Sequence, residues 1–321
     1  NMTGTNWSTV PVAILEMGFM SNQNDDLYIT NTANHPAMVA GIADGIDEYF
    51  SIVEPQTAAR GQHLSQLTES LQTQYTSPLE KSGENWAIAV MDPATDDYST
   101  IHAEETMQAA GLIRSYIMGA VYEKLVYPDP ASEASVDYQK TLKPLLQKMI
   151  ASNDSNAANE LVTLLGSGDF KTGAAVVNQF CQDHGFTSTR LEAPLTADSS
   201  EKTNSTSASD CCRLLSEIYN QTLVNSNASS EMLSLLKQQA EKDKILSGLP
   251  AETETAGTEG TQSDSVENNM AVVLDSASPY VFCVLSNNIK NSSEAKENTK
   301  KISADIYQYM TSESKSPDTP S

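Results

Sequence analysis

The stretch Thr106 to Glu123 (TMQAAGLIRSYIMGAVYE) is apolar or small at almost every position, and its one full charge before the closing Glu123 is Arg114. A helix of this composition has no polar side to turn to water, so it should run through the centre of a domain. The same placement buries the Arg114 guanidinium, which then needs a compensating partner.

The flanking sequence supplies elements to surround such a helix. A helix is predicted near His63–Tyr75, and an apolar strand Trp86–Met91 is ended by Asp92-Pro93. A helical stretch follows from about Ala103 to Leu246, broken by polar loops at Asp129–Ser135 and Ala193–Ser207. Met270–Leu274 and Tyr280–Leu285, joined by Asp-Ser-Ala-Ser-Pro, read as a hairpin. In the last predicted helix, Ser293–Met310, one face gathers Ala295, Thr299, Ile302, Ile306, Tyr309 and Met310. Strand, helical middle, hairpin and final helix imply an α+β domain over residues 62–311, an antiparallel sheet with flanking helices and an inserted helical subdomain.

At 321 residues the chain has room for about two domains. Residues 1–50 hold an apolar run Pro11–Leu15, a Gly-Phe-Met-Ser-Asn turn, and a helix predicted from Pro36 to Phe50 with Met38, Ile42, Ile46 and Tyr49 at helical spacing. One strand and one helix cannot bury a core, so this segment is expected to be the truncated tail of a larger α/β domain. The chain opens with Asn1 rather than Met, and further sequence, with any export signal, is expected upstream. Residues 51–61, with Pro55 and Gly61, read as a linker, and the Ser/Thr/Pro-rich 312–321 as a disordered tail.

Charge narrows the function. Nineteen Lys and Arg stand against 42 Asp and Glu, a formal charge of −23, which repels nucleic acid and anionic membrane surfaces. No apolar run approaches the ~20 residues of a membrane span. Cys181, Cys211, Cys212 and Cys283 show no zinc-type spacing and read as buried thiols. His35, His63, His102 and His184 are scattered singly, without a ligand pattern.

A strand ending in a carboxylate, VPVAILEMGFMSN over Val10–Asn22, is followed by Asp25-Asp26-Leu27 and Gly41–Ile46. These residues resemble the C-terminal end of the zinc-dependent N-acetylmuramoyl-L-alanine amidases, which cleave the amide between muramic acid and the stem peptide of peptidoglycan. The resemblance implies that Glu16 is the catalytic carboxylate beside the metal, and that zinc belongs to the intact amidase domain. The family's two His and one Glu ligands lie upstream of the motif, so no cofactor is expected in this chain by itself.

The central stretch, over about 250 residues, resembles the class A β-lactamases and related penicillin-recognising serine hydrolases. That family carries S-x-x-K, an S-D-N loop and a K-T-G strand. The resemblance places Gly111 at the serine and Arg114 at the lysine. Asn153-Asp154-Ser155 falls at the second motif. Thr258-Glu259-Gly260 falls at the third, with Thr255-Ala256-Gly257 as the weaker choice. Glu259 is the expected partner of Arg114, with Asp154 second. The segment His184–Glu192 fits the approach to the family's Ω-loop, yet no E-x-x-L-N follows it. These departures imply a pseudoenzyme, a degenerate pocket that binds or positions peptidoglycan or its fragments in an extracellular, cell-wall setting. The alternative is a serine β-lactamase or penicillin-binding-type domain with residual or different hydrolase activity.

Overall fold

In a computed structural model the structure describes residues 22–31, 34, 64–95, 97–128, 136–195, 203–239, 245–262, 265–274 and 279–313. The chain divides into two compact units, residues 1–59 and 60–321. In the first, helix α1 (Gln23–Thr30) is followed by Asn34, whose carboxamide donates to the Tyr28 carbonyl at 2.9 Å. The sequence reading placed no helix there. The predicted strand Pro11–Leu15, Glu16, the helix Pro36–Phe50, the linker 51–61 and the tail from 314 onward lie outside the described residues.

The second unit starts with a helix over 64–81, α2, which widens into a π turn at Gln72–Thr76 and continues through Ser77–Lys81. Pro78 does not end it: proline is tolerated in the first turn of the last segment, so the helix outruns its predicted end at Tyr75. Strand β1 (Asn85–Asp92) pairs with β2 (Asp97–Ile101). The short β3 (Met107–Gln108) leads through a 3₁₀ turn, Ala110–Leu112, into α3 (Ile113–Val121). Then come α4 (Lys143–Ala151), α5 (Ser155–Leu165) and α6 (Phe170–Asp183). After β4 (Ser205–Thr206), which pairs with β3, follow α7 (Ala208–Tyr219) and α8 (Ser226–Leu236). Strands β5 (Thr255–Gln262), β6 (Val266–Val273) and β7 (Tyr280–Asn287) and helix α9 (Ser292–Glu313) complete the unit. Because α9 reaches Glu313, the first two residues of the expected tail are helical.

The main sheet has the order β2-β1-β7-β6-β5, every pair antiparallel. It is buried on both faces. Ala87, Ala89 and Met91 of β1 pack on the helical layer, while Trp86, Ile88 and Val90 face the layer of α2 and α9. Double burial explains why β1 reads as an unbroken apolar run rather than an alternation. On the second side Leu64, Leu67 and Leu71 of α2 meet Ala295, Ile302, Ile306 and Met310 of α9. Helix α3 is buried along its whole length, as its composition demands. This is the antiparallel sheet with flanking helices expected from the sequence. All four cysteines are free and buried; burial pushes the Cys181 thiol up to about 12 and those of Cys212 and Cys283 well above their ordinary value, so they are packing residues.

Candidate functional site

The 3₁₀ turn that opens α3 sits against the outer edge of β5. Leu274 N–H donates to Glu254 C=O at 2.8 Å, and Thr255 pairs with Val273. Even-numbered residues of β5 therefore bond to β6, and odd-numbered ones turn their N–H and C=O outward. Glu259 C=O is one of these outward groups, and it points at Gly111. A Cβ added to Gly111 would lie 2.6 Å from the Glu259 oxygen and 3.0 Å from Gly260 Cα, and would collide with Nη1 of Arg114. A Cβ on Gly260 would collide with the Gly111 nitrogen and lie 2.9 Å from its Cα. The two glycines meet backbone to backbone, so each removes the side chain that would push the other away. Of the two choices left at the third motif, Thr258-Glu259-Gly260 is the segment that lies against Gly111.

Arg114 is one turn along and 9% exposed. Its Nη1 donates to Gly111 C=O at 3.4 Å and its Nη2 to Ser155 Oγ at 3.2 Å. The guanidinium thus bridges the start of α3 to the start of α5 and occupies the space beside Gly111. Asp154 is the N-cap of α5, its Oδ1 accepting from the Asn156 and Ala157 amides at 2.8 and 3.0 Å. Glu259 is 4% exposed and its Oε2 accepts from Asn269 Nδ2 at 3.2 Å. Thr258 is also buried, and its hydroxyl has no hydrogen-bond partner among the described residues.

Two non-glycine residues here hold left-handed backbone: Ala110 (φ 46°), just before Gly111, and Asn153 (φ 54°), just before Asp154. Such conformations cost energy in L-residues and are held by their surroundings. The segment after His184 is held by asparagine carboxamides, a signal the sequence reading missed. Asn178 and Asn159 each exchange two hydrogen bonds with the backbone of Leu191 and Leu195, at 2.7–3.3 Å. Asn204 Oδ1 accepts from the Glu192 and Ala193 amides and its Nδ2 donates to the Ala193 carbonyl, at 2.8–3.1 Å.

The structure brings together Gly111, Arg114, Ser155, Glu259 and Gly260, with Asn153 and Asp154 at the α5 cap. Glu16 lies outside the described residues. His102 sits between Glu80 and Glu105, at 3.1 and 3.0 Å, and His184 lies 2.7 Å from Glu123. Neither joins a metal-type cluster: no group of three His, Cys, Asp or Glu able to hold a metal occurs among the described residues. No helix among them is long and apolar enough to cross a membrane.

Beta-lactamase 3 of Bacillus cereus is 24% identical over 229 residues, covering 64% of this chain and 71% of that protein. The solved β-lactamase of Sphaerobacter thermophilus superposes with a TM-score of 0.62 at 15% identity, over 77% of this chain and 96% of its own. A class A β-lactamase of Mycobacterium abscessus gives 0.62 at 15% identity, over 77% and 99%. At such identities the solved structures establish the fold alone. A model described as the beta-lactamase enzyme family matches residues 130–310. That match runs over more than half of the sequence and takes in α4 to α8 and the last three strands, and on this basis the chain belongs to the beta-lactamase enzyme family.

Proposed function

We propose that this β-lactamase-like domain is non-catalytic and holds peptidoglycan or its fragments in an extracellular, cell-wall setting. The observation that carries the proposal is Gly111: acyl transfer needs a nucleophile at the start of this helix, and the space a side chain would need there is taken by the Glu259 carbonyl and the Arg114 guanidinium. Arg114 cannot relieve the deficit, because a guanidinium stays protonated at any working pH and accepts no proton. Arg114 and Glu259, both under a tenth exposed, form on this reading an internal charge pair where an active enzyme would keep its proton-transfer network. The second reading, a different hydrolase activity, rests on Ser155, whose hydroxyl faces the guanidinium at 3.2 Å. Its hydrogen-bond partner there is that guanidinium, which donates and accepts no proton, so the first reading is preferred.

We also propose, on the motif around Glu16, that residues 1–50 are the C-terminal part of an N-acetylmuramoyl-L-alanine amidase domain. The described residues offer no donor set for zinc, so no catalytic step is assigned to a metal in this chain. The upstream coding sequence tests that proposal: two His and one Glu at ligand positions support it, and their absence there removes it. For the binding role, the chain is mixed with purified peptidoglycan and sedimented. Co-sedimentation that soluble muropeptides compete away is expected; recovery of all the protein in the supernatant overturns the reading.

A further inference from the structure

Asp210 is a buried acid that the Gly111 site leaves unused. It lies in the first turn of α7 and is 5% exposed. Its Oδ2 accepts from the Ser188 amide at 2.9 Å and from Thr189 Oγ1 at 2.7 Å, and both donors are neutral. Arg213, one turn along α7, donates instead to the Gly185 carbonyl at 3.0 Å. The other titratable groups facing the carboxyl are Glu104, whose Oε1 accepts from Ser209 Oγ at 2.6 Å, Cys181 of α6 and Tyr116 of α3. None of these three carries a positive charge, so the ionised acid is buried without a close cation among the described residues, a costly arrangement. Burial is the largest influence on Asp210. It outweighs the two hydrogen bonds and Arg213, and the carboxyl is raised above its ordinary value.

The acid also orders the groups around it. A hydroxyl has one hydrogen to donate. Thr189 gives its hydrogen to Asp210, so it accepts from Thr206 Oγ1 at 2.9 Å, and Thr206 in turn accepts from Tyr116 OH at 3.0 Å. The chain of hydroxyls runs from α3 through β4 to residues 188–189 and ends on the carboxyl. The backbone pair Arg190–Ser205, 3.0 Å in both directions, fastens the same residues to β4. Just before β4, the Asn204 carbonyl accepts from the Ala109 amide at 2.7 Å, beside Ala110 and Gly111. Residues 188–190 therefore adjoin the strand pair that holds the Gly111 turn. Lifting them exchanges both neutral donors of Asp210 for water.

We propose that Asp210 is a pH-operated latch: protonated, it holds residues 188–190 against α7 and β4; ionised, it favours a local opening in which they lift and the carboxylate is hydrated. The sign follows from linkage, since a group that binds its proton more tightly when buried makes opening easier as pH rises. The latch does not depend on what the Gly111 site does. The test is native-state hydrogen exchange of the whole chain, followed by NMR from about pH 4 to about pH 7 and expressed as protection factors. The Ser188 and Arg190 amides should be less protected than Ile88 in β1. Their protection should fall as pH rises, by at most about tenfold per pH unit, the limit for one proton. Asp210→Asn should flatten that dependence. Thr189→Val, which removes one of the two donors, should move the fall to higher pH and serves as the second variant should Asp210→Asn not fold. Protection equal to that of Ile88, no dependence on pH in the parent, or a dependence that neither variant alters overturns the proposal.

Discussion

Placing a serine at position 111 is the perturbation that most directly tests the packing at the site. Replacing glycine in a helical turn by serine would by itself gain about 0.5 kcal/mol of propensity. Against this, the new Cβ would sit 2.6 Å from the Glu259 carbonyl oxygen, a backbone atom that cannot swing aside. It would also displace Arg114 Nη1, breaking the bonds to Gly111 C=O and Ser155 Oγ. Overpacking of this kind costs about 1–3 kcal/mol, and the loss of charge-assisted bonds pushes the total toward the top of that range. The net expectation for Gly111→Ser is a loss of about 1–3 kcal/mol, a fall in Tm of roughly 2–4 °C per kcal/mol for a domain of this size. Urea denaturation with an unchanged m-value measures it. Neither hydrolysis of a chromogenic cephalosporin nor covalent labelling by a fluorescent penicillin should appear, since a serine without a proton acceptor is a weak nucleophile. A variant as stable as the parent that is also labelled would refute the packing argument and the catalytic one together.

The remaining expectations concern the charges around that turn and one buried acid. Glu259→Gln, read by denaturant melting, should lose about 3–5 kcal/mol if it breaks a buried pair with Arg114; no loss would mean that the guanidinium is compensated elsewhere. Asp154→Ala should cost about 0.5–2 kcal/mol through the α5 cap, whereas Asp154→Asn, which preserves the cap, should be nearly silent; equal losses would point to a charge role instead. Burial raises the Asp210 carboxyl above its ordinary value of 3.8, although Ser188 N–H and Thr189 Oγ1 donate to it at 2.9 and 2.7 Å. The native state then binds its proton more tightly than the unfolded chain, so this group's contribution to stability falls as pH rises from about 3.8 through the raised value. Asp210→Asn should remove that part of the slope in a pH series of melts, and an unaltered slope would show that the acid titrates normally.

How far the sequence could be read depended on whether burial left an apolar signature. Strand β1, the β6–β7 pair and the α9 face were legible because Trp86–Met91, Met270–Val273, Tyr280–Leu285 and Ile302–Met310 are large apolar residues at the right periods. Strand β5 had no such signal. Its sequence TAGTEGTQ contains one apolar side chain, Ala256, yet Thr258, Glu259 and Gly260 are buried through contact with the α3 turn and β6. Strand β2 was hidden for a related reason, since only Ser99 and Ile101 of DYSTI are buried. The site residues were named from a family resemblance rather than from physical pattern. What the resemblance could not supply was the arrangement: the glycine-to-glycine contact, the Arg114–Ser155 bridge and the asparagine clamps on Leu191–Leu195 depend on elements far apart in sequence.

Intact-protein mass spectrometry of the parent chain after prolonged incubation with excess benzylpenicillin tests the central claim most directly. On the proposed reading, in which Gly111 stands at the serine position, the chain should show its unmodified mass alone, with all the antibiotic recovered intact. A species heavier by one penicilloyl group, with the adduct mapped by proteolysis to Ser155 or any other residue lining the Gly111 site, would contradict the account.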